Sequence, residues 1–329
     1  MEGAPSPPSS APQPKRKRSP LVQWPLYLIT RAWLGLLGAL PLPLARKVSI
    51  ALGRVVLFLV PRLHRIASEQ IDAAFGDSLG REEKRRILLE AMDNLSILAA
   101  EFPHGPRLAK QRFAGLLEVR GLEHVNLNES ALFISGHLAN WEWMGPAWWL
   151  EGIRGVAVVR ALDFPPLERY VKRMRDAVNF RTMLRDDAGA RLFQLLKEGV
   201  STGILIDQAP RENAVPCTFF GRPCWGTIGP AMIAARAKVK VHFMGMRRLP
   251  DGRYVMEVSE ALPLVRTGRL LEDLTANTQI CQDVLEEFIR RNPGQWLWFH
   301  RRWKERPRLA REWEARQQRA AKGSLPREE

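Results

Sequence analysis

A histidine and a carboxylate five residues apart, His137 and Glu142, lie in the stretch Phe133-Ile134-Ser135-Gly136-His137-Leu138-Ala139-Asn140-Trp141-Glu142. On a continuous helix each residue turns about 100°, so side chains at this spacing point about 140° apart and cannot touch. A bend must therefore bring them together. An imidazole held in one tautomer by a carboxylate can take a proton from a hydroxyl at neutral pH, which is the activation of an alcohol. On this reading His137 is the base and Glu142 its orienter. The competing reading, a hydrogen-bonded core histidine beside a solvated helix glutamate, is the commoner one for an isolated H-x4-E. The rest of the chain favours the chemical one.

The apolar run Ala131 to Ile134 reads as a buried strand, Ser135-Gly136 as a turn, and Asn140 to Leu150 as the opening of a helix. Glu142 then falls in a first helical turn, where free amides and the positive dipole end favour a carboxylate and could also receive an oxyanion. Downstream the pattern alternates. Strands are expected at 155–159, near 180–184, and at 203–206, 239–246 and 254–258. Helices are expected at 166–177, 189–198, 228–237 and 270–291. The alternation predicts an α/β fold, a mixed sheet flanked by helices, in which ligands collect at the carboxyl ends of strands. His137, Arg160 and Asp207 stand at such ends.

Residues 1–20 are rich in Pro and Ser and close on Lys15-Arg16-Lys17-Arg18, the composition of a disordered basic tail. From 21 to 62 the chain is strongly apolar but is interrupted by Arg31, Arg46, Lys47 and Arg54, with Pro41 and Pro43 dividing it. No uncharged run reaches the roughly 18 to 20 residues of a clean spanning helix. This segment predicts N-terminal hydrophobic membrane-associating helices lying in the interface, with Trp24, Tyr27 and Trp33 near headgroups. Packing on the core is the competing reading, and a tilted span that snorkels Arg31 a third. Residues 81–102 read as an amphipathic scaffold helix, 63–304 as the α/β domain, and 305–329 as a charged tail, either exposed helix or disordered.

The excess of 50 Lys and Arg over 35 Asp and Glu, a net charge of +15, predicts an anionic partner. Cys217, Cys224 and Cys281 lack zinc-ligand spacing and are odd in number, so reduced thiols are expected and no metal.

Ser135-Gly136-His137 through Asn140-Trp141-Glu142, Val159-Arg160 with Asp163 and Pro165, Asp207-Gln208, and Pro216 through Phe219-Phe220-Gly221-Arg222-Pro223 occur in this order. They are followed by Asn292-Pro293-Gly294-Gln295-Trp296 and by Trp298 to Lys304. From about Leu21 to Lys304 the chain resembles the bacterial lipid A biosynthesis (lauroyl/myristoyl) acyltransferases, within the lysophospholipid acyltransferase superfamily. The resemblance implies a glycerolipid-acyltransferase-like fold and transfer of a fatty acyl group from a thioester donor, acyl carrier protein or acyl-CoA, to a lipid hydroxyl. It implies no cofactor beyond that co-substrate, and a place at the cytoplasmic face of a bacterial inner membrane. It also makes His137 the general base, Glu142 its partner, and Arg160 and Asp207 charged members of the substrate site. Asp163-Phe164-Pro165 departs from the family, where Asn usually follows the Asp.

The residues agree with that chemistry. His137 would deprotonate the acceptor hydroxyl, Glu142 would stabilise the imidazolium, and the amides after His137, or Arg160, would receive the tetrahedral oxyanion. Arg160 could instead clamp a phosphate, or simply pair at a sheet edge. Asp207, with Gln208 beside it, could orient the acceptor hydroxyl, pair with Arg160, or form a turn. Phe219, Phe220 and Gly221 would line an acyl groove, or be ordinary core aromatics. Two other functions fit part of the sequence: thioester hydrolysis at the same site, and nucleic-acid binding by the basic surface. The second lacks a reading motif, and no specific nucleic acid is expected.

Overall fold

The computed structural model describes residues 20–323. Prolines punctuate its helical N-terminal part. Pro41 caps the start of a second helix with Pro43 in its first turn, so α1 (Pro20–Ala39) gives way to α2 (Leu42–Leu59). Pro61 opens α3 (Pro61–Phe75), and α4 (Arg81–Glu101) follows, with Glu82 and Glu83 at its positive end. On α2, Ser49 donates to the Ser96 carbonyl at 2.7 Å, and a side chain at Gly53 would collide with Ser96 Oγ. This close approach fixes α2 against α4.

Seven strands form the main sheet: β1 (Leu117–Arg120), β2 (Ala131–Ser135), β3 (Gly155–Val159), β4 (Thr182–Leu184), β5 (Ser201–Leu205), β8 (Lys240–Arg248) and β9 (Tyr254–Ala261). A separate antiparallel hairpin joins β6 (Ala214–Phe219) to β7 (Arg222–Thr227). The sheet order is β1-β9-β8-β2-β5-β3-β4. Strands β8, β2, β5, β3 and β4 are parallel, whereas β9 pairs antiparallel with β8 and parallel with β1. The sheet is mixed, as the alternation predicts.

Strand β2 is buried along its whole length because both faces are covered. Its even residues Leu132 and Ile134 join a core with Ile71, Ile87, Leu196, Leu285 and Phe288. Its odd residues Ala131 and Phe133 join the opposite core with Met144, Trp148, Met246 and Tyr254. Trp148 packs closely on the sheet because Gly155 and Gly203 have no Cβ; one added at either would meet its ring.

The intervening helices are α5 (Gly105–Lys110), α6 (Met144–Leu150), α7 (Pro165–Asp176), α8 (Gly189–Lys197) and α9 (Gly229–Ala237). Then come α10 (Leu270–Arg291), which matches its predicted span, and α11 (Pro307–Gly323). Beyond the expected elements the structure adds β1, α3, α5 and the β6–β7 hairpin. The helix expected from Asn140 begins instead as a 3-10 turn, Trp141–Trp143, and becomes α6 only at Met144. Of the expected charged tail, α11 is helical and docks rather than floating: Leu309 is buried, and Trp313 packs on Val215, Ile228 and Leu274. The Lys15 to Arg18 cluster lies outside the described residues.

Along α1 and α2 one side is core and the other is open. Leu37 and Ala45 pack on Ala100, while Leu21, Ile29, Phe58 and Leu59 are all more than 60% exposed. Among the described residues no helix is long and apolar enough to cross a membrane.

Candidate active site

The adjacent parallel strands β2 and β5 end at the same edge of the sheet, and each delivers one member of a buried pair just past its carboxyl end. From β2 comes His137, whose Nδ1 lies 2.9 Å from Asp207 Oδ1. From β5 comes Asp207, fully buried, whose Oδ2 accepts the His137 backbone N–H at 2.9 Å and the Trp296 indole N–H at 2.9 Å. Gly136 permits this approach, since a Cβ there would press within 3.4 Å of the Asp207 side chain and closer still to Leu285. The structure therefore corrects the expected pairing: the carboxylate at His137 Nδ1 is Asp207, not Glu142. Strand adjacency in space outranks proximity in sequence.

A buried carboxylate can only accept, so Nδ1 carries the proton and Nε2 presents its lone pair. The His137 side chain is 20% exposed, enough for a substrate to reach it. Burial disfavours the imidazolium, but the charge and hydrogen bond of Asp207 outweigh it, with the charge of Glu142 adding, and hold His137 above its ordinary pKa. For Asp207 burial alone would raise the pKa; the positive imidazole beside it and the donated hydrogen bonds win, and the carboxyl is held well below the usual range. On the far side, the half-buried His300 ring lies 5.1 Å from that of Trp296, with its Nε2 3.2 Å from the Asp207 carbonyl oxygen.

Glu142 has a different partner. Arg175, in the last turn of α7, grips it bidentately, Nε to Oε2 at 2.8 Å and Nη2 to Oε1 at 2.7 Å, with both side chains less than one-fifth exposed. Arg175 carries no sequence signal of its own; it reads as one more cation on a basic amphipathic helix. The Trp141 ring meets the His137 ring edge-on at 5.0 Å between centroids.

Arg160, one residue past β3, pairs with Asp163 at 2.8 Å on the surface, both more than half exposed. It contacts neither Asp207 nor His137, so of the alternatives weighed for it the local ion pair is the one the structure shows, and Asp207 does not pair with it. Gln208 is exposed beside Asp207. Phe219 and Phe220 are buried among Trp296, Trp298, Trp303 and Phe75 rather than on an open groove. Phe220 and Gly221, with φ of 53° and 69°, form the two-residue hairpin turn, so the glycine serves the backbone twist of β6–β7. Because Phe219 packs on Trp296, these aromatics stand one layer behind Asp207.

The backbone also narrows the oxyanion candidates. The Leu138 N–H is donated to Gly136 O and the Ala139 N–H to Gln295 O, so neither of the two amides after His137 is free. Cys217 and Cys224 face each other across the hairpin at 3.4 Å, both buried. Among the described residues no group of His, Cys, Asp and Glu side chains is arranged to hold a metal.

Residues 12–305 match the family model described as bacterial lipid A biosynthesis acyltransferase. The lipid A biosynthesis lauroyltransferase of Escherichia coli K12 is 24% identical over 297 residues, covering 86% of this chain and 94% of that protein. A lipid A biosynthesis acyltransferase of Haemophilus influenzae is 24% identical over 310 residues, covering 89% and 97%. Among solved structures, the 1-acyl-sn-glycerophosphate acyltransferase of Thermotoga maritima aligns with 76% of this chain and 94% of its own, at 16% identity and a TM-score of 0.34.

Proposed function

Since the chain belongs to the bacterial lipid A biosynthesis acyltransferase family and is an acyltransferase, we propose that it moves a fatty acyl chain from a thioester donor to a hydroxyl of a lipid A precursor or related glycolipid, with His137 as general base and Asp207 as its orienter. The observation that carries this mechanism is the His137–Asp207 pair at the carboxyl ends of adjacent strands, with Nδ1 committed to the carboxylate and Nε2 left for substrate. The acceptor hydroxyl gives its proton to Nε2 as its oxygen attacks the thioester carbonyl. The imidazolium that forms is stabilised by Asp207 and, at longer range, by Glu142. The tetrahedral intermediate expels the thiolate, which takes the proton back from His137. Both substrates react while bound together, so no acyl-enzyme is needed.

Arg175 replaces the amides after His137 as the oxyanion candidate. Two of its N–H groups are spent on Glu142, its charge is felt at His137, and its remaining donors are available to a developing negative charge. The donor, acyl carrier protein or acyl-CoA, is anionic in either form and suits the net charge of +15.

The acceptor is a lipid, and the exposed apolar sides of α1 and α2 suit an interfacial attachment, at the cytoplasmic face of an inner membrane in this proposal. Trp24 and Tyr27 on α1 pack edge-on against Phe164, four residues beyond Arg160, so the apolar helix and the loop after β3 share one end of the molecule. The test is transfer of labelled acyl groups from acyl carrier protein or acyl-CoA into host lipid. Wild-type protein should label a lipid, and His137→Ala and Asp207→Asn should not. Release of free fatty acid at a rate indifferent to lipid would replace transfer by hydrolysis.

A further inference from the structure

The segment from His137 to Glu142 is held in a conformation it would not adopt alone. Ala139 has a φ of 45°, in the left-handed region that disfavours a side chain. Asn140 is 1% exposed, and its Oδ1 has no hydrogen-bond partner among the described residues. Both features oppose folding locally, so surrounding contacts must over-determine the segment. Some of those contacts are backbone braces: the Ala139 N–H donates to Gln295 O at 2.8 Å, and Asn94 Nδ2 donates to Ala139 O at 3.3 Å.

A further brace is a charge-assisted hydrogen bond to a buried carboxylate. Glu101, at the end of α4, is fully buried, and three elements converge on it. Arg46 from α2 donates to Oε1 from Nε at 2.8 Å, Tyr254 from β9 donates its hydroxyl to Oε2 at 2.8 Å, and Asn140 donates its Nδ2 to Oε2 at 2.5 Å. A carboxylate accepts and does not donate, so it dictates which way the Asn140 amide faces. Asn140 then starts the 3-10 turn by accepting the Trp143 N–H at 3.0 Å. Within that turn lie Trp141, whose ring meets His137, and Glu142, which holds Arg175.

We propose that Glu101 is a positioning residue for the reaction, acting through Asn140 to set the 3-10 turn that places Trp141 and Glu142 beside His137, with the half-buried Arg46 as its counter-ion. The inference rests on the assignment of His137 as the base. It extends the site to α2 and α4, whose residues touch no reacting atom.

The experiment measures kcat and KM for donor and acceptor in the full chain, with thermal unfolding as the control for folding. Asn140→Ala leaves Glu101 its other two donors, and kcat is expected to fall about 10- to 100-fold with both KM values little changed. Asn140→Asp sets two carboxylates against each other. Its turnover relative to wild type should be lowest at alkaline pH and recover as the pair takes up a proton on acidification. In the double variant Glu101→Gln/Asn140→Asp the donor and acceptor exchange places, and turnover should recover at least about tenfold over Asn140→Asp alone. Folded Asn140→Ala with wild-type kcat, or a double variant no better than Asn140→Asp at every pH, would overturn the proposal. If His137→Ala kept wild-type turnover, the underlying assignment would fail instead, whatever the Asn140 variants did.

Discussion

Two carboxylates act on His137, and the difference between them separates a catalytic partner from a structural one. Asp207 is fully buried and, among the described residues, pairs with no Lys or Arg; its charge is met by an imidazole and by neutral N–H donors. When His137 takes a proton, the new positive charge finds a full negative charge waiting. Glu142 is almost as buried, yet a guanidinium that never loses its proton already occupies both its oxygens. Its field at His137 raises the imidazole pKa, and the field of Arg175 opposes it. A carboxylate beside a base stabilises the protonated base only to the extent that nothing else neutralises it first.

The comparison breaks most sharply at the base and its partner. His137→Ala should lower turnover by about 10²- to 10⁴-fold, and Asp207→Asn by a similar order, because an amide at that position cannot stabilise the imidazolium. Acyl-transfer rates at saturating donor and acceptor check both. If Asp207→Asn kept more than a tenth of wild-type activity, the assignment of Asp207 as orienter would be lost.

A pH profile sharpens the contrast. His137 must be neutral to act as base, and its pKa is raised, so kcat/KM should fall on acidification through a value above 6.5. Asp207→Asn removes the main raising influence, so the acid limb should move to lower pH. Glu142→Gln should move it in the same direction by less. Equal movement in the two variants would erase the distinction drawn between the carboxylates.

Glu142→Gln should also cost about tenfold in turnover and about 1 to 3 kcal/mol in stability, since it leaves the half-buried Arg175 without its counter-charge. Thermal and denaturant unfolding measure the second effect. Phe58→Glu, on the open side of α2, should weaken binding to vesicles of anionic phospholipid by about tenfold while leaving the fold intact; co-sedimentation reads this out. Arg160→Ala should have the smallest effect on stability, within about 1 kcal/mol, because its pair with Asp163 is solvent-exposed. A larger loss of stability would show that this ion pair holds the loop after β3.

How legible each part was in the sequence follows from the range of the forces that fix it. The parallel strands were readable because β2 and its neighbours are short apolar runs separated by turn residues, and α10 because Leu274, Cys281, Leu285 and Phe288 recur at helical spacing before Asn292-Pro293. Strand β1 was not, because Leu117-Glu118-Val119-Arg120 is a short edge strand with alternate residues exposed. The hairpin was hidden by Pro216 and Pro223, which its two-strand ribbon tolerates. The charged tail looked solvated because Leu309 and Trp313 are isolated in a basic sequence, yet a few apolar contacts suffice to dock α11.

The sequence by itself determined the reactive residue types and their places at strand ends. His137 follows β2 and Asp207 follows β5 because apolar runs end there, and ligands gather where parallel strands stop. Which carboxylate holds the imidazole was decided only by tertiary structure. His137 and Asp207 are 70 residues apart in the chain and meet because β2 and β5 pair side by side. Arg175 reaches Glu142 because α7 folds back beside the loop after β2. Local composition sets what each strand end carries; strand order sets what it faces.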